Sequence, residues 1–237
     1  MDDRWFGHSG DLGDIIYSLP TIRAVGGGTL YLYHTPGKTS HGMTVEKAES
    51  LRSLLMLQPY IKDVVWCPDG HEDHNLNGFR DHYRGLRNLA DCHLATHGLG
   101  PEHRERAWLQ VDAPVTDFPV VLHRSQRYHN NAFPWRAVVE KYRGKAVMVG
   151  FTAEWELFCR EFGHVPYVHT ANLLEVARII AGCRLFVGNQ SSPEAICEGL
   201  KQNKILEVST QVPNSCMFKR LGAVYAVDSW RLELPDI

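Results

Sequence analysis

Between Pro119 and Val208 short apolar runs and helical segments take turns, and this alternation constrains the fold more than any other feature. Pro119–His123, Ala146–Gly150, Val165–Val168, Arg184–Gly188 and Lys204–Val208 read as compact strands. Pro134–Tyr142, Ala153–Phe162, Ala171–Gly182 and Pro193–Leu200 have helical spacing. In the third of these, Leu173, Leu174, Ala177, Ile180 and Ala181 form one apolar stripe. Strands separated by helices need crossover connections, so the sheet is expected to be mainly parallel.

The first half repeats the theme more loosely. Trp5–Ser9 predicts a strand and Asp14–Val25 a helix, ended by Gly26-Gly27-Gly28. Thr29–His34 is a strand by its aromatic content, Val45–Leu57 a helix stopped at Pro59, and Lys62–Cys67 another strand. Pro68–Tyr83 is polar and His-rich and reads as a long loop. Asp112–Asp117, carrying Pro114, is the expected boundary. It divides the 237 residues into domains at 1–115 and 116–237.

A formal net charge of -2 gives no global sign of a polyanion partner. No run approaches the roughly 18 apolar residues that span a bilayer. The start, Met1-Asp2-Asp3-Arg4, lacks a signal-peptide profile. The 6 cysteines are scattered without C-x-x-C spacing, which predicts reduced thiols and a cytoplasmic protein.

Three segments carry candidate chemistry. In Gly10-Asp11-Leu12-Gly13-Asp14, the first strand should turn into the first helix. Glycines there permit a tight bend and close approach to a ligand, and a helix start offers N–H groups. Asp14 either caps the helix or, ionised near neutral pH, takes a proton from a substrate. In Asn189-Gln190-Ser191-Ser192-Pro193-Glu194, Ser192 reads as the cap and Pro193 as the first helical residue. That helix start is either a capped end or a cradle for a diphosphate. Glu194 and Glu198, four apart, share a helical face and are candidates to accept hydrogen bonds from sugar or ribose hydroxyls. In the third segment Arg124 and Arg127 sit at the carboxyl end of a parallel strand, which is where ligands bind in open α/β sheets. Their planar forks suit phosphate, or they are two solvated loop arginines. His71, His74, His82, His93 and His97 cluster in the first half without a metal signature, and no metal is expected.

The stretch from Gly10 to Ala24 (G-D-L-G-D-I-I-Y-S-L-P-T-I-R-A) resembles the N-terminal signature of family-nine glycosyltransferases, the heptosyltransferase-like group. Asn189, Ser191 and Pro193 are similar to that family's donor-binding segment. Gln190 stands where the family has Asp, Ser192 where it has Gly, and Ala195 where it has His. Phe133-Pro134 replaces its Trp-Pro, and an Asn replaces its loop lysine. The resemblance implies the GT-B architecture: α/β, two Rossmann-like domains with mainly parallel sheets facing a cleft. It further implies inverting, metal-independent sugar transfer, with Asp14 as base and no cofactor beyond a nucleotide-sugar co-substrate. Donor contacts would come from Gly10, Asp11, Gly13, Arg124, Arg127, Asn189, Gln190, Ser191, Ser192, Glu194 and Glu198. The partners would be a nucleotide-diphosphate sugar and a glycan, lipid-linked glycan or other hydroxyl acceptor, a nucleic-acid acceptor included. A nucleotide-sugar epimerase on the same fold, or a non-catalytic nucleotide- or glycan-binding module, are the alternatives.

Overall fold

In the computed structural model, residues 4–34, 42–68, 72–83, 88–213, 215–227 and 232–237 are described. The chain divides into two compact units. One runs to Asp112 and includes Asn172–Leu174; the other comprises Ala113–Ala171 and Glu175–Ile237.

The first unit holds β1 (Trp5–His8), α1 (Leu12–Val25), β2 (Gly28–Leu32), α2 (Val45–Met56), β3 (Ile61–Trp66), β4 (His74–Asn75) and α3 (Leu89–Thr96). All four strands are parallel, in the order β3-β2-β1-β4. Phe6, Leu30 and Leu32 from the sheet, with Ile15, Ile16 and Leu19 of α1 and Leu51, Leu54 and Leu55 of α2, are among its buried apolar side chains. Helix α1 ends on Gly26, whose φ of 108° closes the helix in the left-handed region.

The second unit holds β5 (Val120–His123), α4 (Trp135–Lys141), β6 (Ala146–Met148), α5 (Thr152–Phe162), α6 (Leu173–Gly182) from Glu175 onward, β7 (Leu185–Asn189), α7 (Ser192–Leu200), β8 (Lys204–Glu207) and β9 (Ala223–Ala226). Its five strands are parallel in the order β6-β5-β7-β8-β9. Val120, Leu122, Met148, Leu185, Val187 and Ile205 meet Trp135, Tyr142 and Phe158 in one core.

Several elements differ from the sequence reading, each for a local reason. Helix α1 starts at Leu12, two residues before Asp14, because Asp11 stands at the N-cap with its N–H bonded to Asp14 Oδ2. The supposed loop 68–83 contains β4, which pairs with β1, and a 3-10 segment at Asn77–His82. A two-residue strand leaves no periodicity to read. Val165–Val168 shrinks to a single bridge between Met148 and Tyr167, since Pro166 can offer its carbonyl but no N–H. Strand β9, absent from the sequence reading, is a four-residue edge strand in which only Ala226 is buried. The cap of α7 is Ser191 rather than Ser192.

Candidate functional site

Strand order locates a candidate site in each unit. In the first sheet the order turns at β1: β2 and β3 lie to one side and β4 to the other. In an open parallel sheet, ligands bind beyond the carboxyl ends of the strands at such a switch point. The Gly10–Asp14 turn follows β1, and the Asn77–His82 segment follows β4, so both border that position. In the second sheet the order turns between β5 and β7, where the Arg124–Asn131 and Gln190–Ser192 loops begin.

At the first switch point, Gly10 donates its N–H to His8 Nδ1 at 2.9 Å. A Cβ at Gly10 would sit 2.7 Å from both Asp14 Oδ2 and His8 Cε1, so no larger residue fits without displacing one of them. Asp14 lies in the first turn of α1, and its Oδ2 accepts from Asp11 N at 3.2 Å and from Arg80 at 2.8 Å. Its side chain is 13% exposed, so the carboxylate is mostly enclosed but still reached by solvent. Burial raises the Asp14 pKa; the Arg80 cation opposes that shift, and the Asp11 charge adds to it. Asp11 is itself held by Lys47 Nζ at 2.6 Å. Gly13 occupies the helix turn just before Asp14, its backbone spacing Asp11 from Asp14.

Beneath this turn lie two buried imidazoles. His8 is pushed down to about 3, first by burial and then by Arg80, and His93 is lowered well below its ordinary value for the same reasons together with His8 and His97. Among the described residues, His8 Nε2 and both ring nitrogens of His93 have no hydrogen-bond partner. Among the described residues no group of three His, Cys, Asp or Glu side chains is placed to hold a metal; His71 lies outside them.

At the second switch point, Asn189 draws two of the sequence segments together. Its Oδ1 accepts from Ser125 N at 2.9 Å, while its Nδ2 donates to Ser125 Oγ at 3.0 Å and to the Arg127 carbonyl at 2.6 Å. Arg127 is exposed and leans over the Tyr128 ring. Ser191 and Ser192 are partly exposed, and Ser191 gives the first turn of α7 no side-chain cap. Asn189, Arg127, Ser191 and Ser192 are thus brought to one end of one sheet.

Four other predicted donor contacts are placed differently. Arg124 is buried and reaches Glu207 through Nε at 3.0 Å and Nη2 at 3.2 Å, with Glu161 3.4 Å away. Its fork therefore meets a carboxylate of the protein. Gln190 is buried with its amide divided between the Ser209 N–H and the Val212 carbonyl. Glu194 and Glu198 are fully buried and both pair with Lys204, Glu198 at 2.8 Å. Burial would raise Glu198, but Lys204, Lys201 and Arg220 bring it down to about 2. Burial would lower Lys204, and the two glutamates raise it instead. The pairing also removes an objection to an anion at the start of α7: Glu194's charge is already neutralised by Lys204.

Sequence reasoning passed over Arg80, Lys47, His8, Lys204 and Glu207. Glu207 also accepts from Trp135 Nε1 at 2.8 Å and Asn130 N at 2.7 Å. A signal for two of them was present: Lys204 and Glu207 bracket an apolar strand buried throughout, and a charge on such a strand needs a partner.

No family model and no curated protein sequence matches the chain. Solved structures do. A glycosyl transferase family 9 structure from Veillonella parvula DSM 2008 matches at TM-score 0.59 and 12% identity, covering 93% of this chain and 84% of that one. The E. coli heptosyltransferase WaaC with ADP-2-deoxy-2-fluoro heptose matches at 0.55 and 11%, covering 93% and 91%. The dodecameric iron-containing heptosyltransferase TibC, in complex with ADP-D-beta-D-heptose, matches at 0.60 and 16%, covering 94% of this chain and 63% of that one. The chain therefore has the α/β GT-B fold of these glycosyltransferases, with two parallel-stranded Rossmann-like sheets. Among the described residues no helix is long and apolar enough to cross a membrane.

Proposed function

We propose that the chain is a glycosyltransferase that moves a sugar, with inversion and without a metal ion, from a nucleotide-diphosphate donor to an acceptor hydroxyl in the cytoplasm. The observation that carries this reading is the Asp14 carboxylate. It stands beyond the carboxyl end of β1 at the sheet's switch point, with Oδ2 occupied and Oδ1 without a hydrogen bond among the described residues. Asp14 Oδ1 takes the proton of the acceptor hydroxyl as that oxygen attacks the anomeric carbon. The bond from that carbon to the diphosphate breaks, and its electron pair leaves with the nucleoside diphosphate. The first unit would hold the acceptor, a glycan, a lipid-linked glycan or another hydroxyl compound. The second unit would hold the donor through Arg127, the Ser191–Ser192 turn and the start of α7. Solved structures of the same fold carry ADP or an ADP-sugar, so ADP-heptose is the first donor to try.

A thermal-shift screen of ADP-, UDP-, GDP- and CMP-sugars should single out the donor, because a ligand bound by the folded state raises its melting point. Asp14→Asn should then lower turnover by roughly 10²–10⁴-fold while calorimetric affinity for ADP holds. Near-native turnover in this variant would reduce Asp14 to a helix-capping residue.

A further inference from the structure

We propose that Arg80 is a positioning residue for Asp14: its bond to Oδ2 holds the carboxylate so that Oδ1 is the oxygen presented to the acceptor. The inference rests on the base reading above and adds to it the residue that aims and tunes the base.

The geometry begins with the Asn77–His82 segment. Asn77 accepts from both the N–H and the hydroxyl of Ser9, at 2.9 and 3.0 Å, which pins the segment to the end of β1. Asn77 Nδ2 also donates to the Tyr33 hydroxyl at 2.7 Å. The next anchor is Phe79, buried and stacked on His93 with ring centroids 4.2 Å apart. The Arg80 guanidinium lies 4.4 Å from the Phe79 centroid and reaches Asp14 Oδ2 at 2.8 Å. His93 in turn lies 5.1 Å from the His8 ring, whose Nδ1 accepts from Gly10. A continuous column of rings thus connects the guanidinium to the turn that carries Asp14.

Two donors from different directions, Asp11 N and Arg80, meet on the same oxygen. Together they fix the carboxylate's rotation, which a helix cap alone would leave looser. Arg80 is 53% exposed, so it acts at the rim of the site rather than in its floor.

Among the described residues the charges around Asp14 are few. Arg80 comes from the 3-10 segment, Asp11 with its Lys47 partner from the turn and α2, His8 from β1 and His93 from α3. Both imidazoles stay neutral well below pH 6 because burial disfavours their charged forms. From mildly acid pH upward, Arg80 is therefore the cation that favours the ionised carboxylate, against a burial cost that disfavours it.

The test is a carbon NMR titration of the Asp14 carboxyl in the full chain, which requires no substrate. Arg80→Gln should raise the Asp14 midpoint by about one pH unit, since removing a cation at this distance disfavours the charged form. Arg80→Lys should recover part of that shift, because it restores the charge without the planar fork. Raising the salt from low to about 1 M in the unaltered protein should move the midpoint the same way by screening the half-exposed pair. That arm stands even if a variant does not fold. An Asp14 midpoint unmoved by Arg80→Gln, or by salt where the variant fails, overturns the role of Arg80. Near-native turnover in Asp14→Asn overturns the base reading itself, and with it this proposal. A shift with Arg80→Gln together with a turnover loss in Asp14→Asn supports both.

Discussion

Arg124→Ala separates a structural arginine from a donor-binding one. In the folded chain Arg124 makes two bonds to Glu207, a carboxylate with no exposed surface. Truncation would leave Glu207 with two neutral donors, the Trp135 indole and the Asn130 N–H, and no nearby cation from Arg124. Breaking a buried pair on one side costs about 3–5 kcal/mol, because the surviving charge stays desolvated. For a unit of this size each kcal/mol corresponds to about 4 °C in melting temperature. The variant should therefore melt roughly 12–20 °C lower. The double variant Arg124→Met with Glu207→Gln should regain more than half of the loss, because both charges leave together and the Gln oxygen still accepts from Trp135 and Asn130. Calorimetric titration with ADP, at a temperature where the single variant is folded, should show affinity within about twofold of the parent. Arg127→Ala should show the opposite pattern, an unchanged melt and ADP binding weakened by about 1.5–3 kcal/mol. An Arg124→Ala protein that melts normally but loses ADP would refute this assignment and return the fork to the phosphates.

Two further perturbations follow from the buried charges. Lys204→Met should destabilise the second unit by about 3–5 kcal/mol, and adding Glu194→Gln should restore part of it; urea unfolding that shows no loss in the single variant would mean the pair is dispensable. His8, lowered to about 3 in the folded chain, binds its proton in the unfolded chain near 6.5, so stability is complete above pH 6.5 and falls as the pH drops toward 3. His93 acts in the same direction, each histidine contributing a slope of about 1.4 kcal/mol per pH unit. His97 and His123 are also lowered by burial and add in the same direction. Urea unfolding at pH 7.5, 6.0 and 5.0 should show stability falling as the pH drops, and His93→Phe should remove about 1.4 kcal/mol per pH unit of that fall.

The architecture was legible because it depends on period and spacing. Apolar strands such as Val120–His123 and Leu185–Asn189, separated by helices, force a parallel sheet whatever the surface residues are. The turn at Gly10–Asp14 was legible too, since the Asp14 and His8 side chains packed onto Gly10 leave no room for a Cβ there. Pair identity was not. Nothing local in Arg124 says that its partner lies 83 residues on, in a different strand, and Glu194 and Glu198 look like surface charges until the fold places Lys204 beneath them. Arg80 was hidden in another way: it sits in a polar stretch whose described residues form a two-residue strand and a short 3-10 segment, too brief for any periodicity.

The Asn189 clamp reads mainly main-chain atoms of the loop it holds: the Ser125 N–H and the carbonyls of Ser125 and Arg127, with the Ser125 hydroxyl as the one side-chain contact. The shape of that loop is therefore inherited separately from its lettering. Gln126, Arg127 and Tyr128 are all exposed, and Tyr128 holds a φ of 60° that Asn or Gly would adopt at least as readily. Lineages, or an engineer, could rewrite these three positions while the backbone beneath them keeps its course. On the donor reading proposed above, the ligand met at this rim could change without refolding anything.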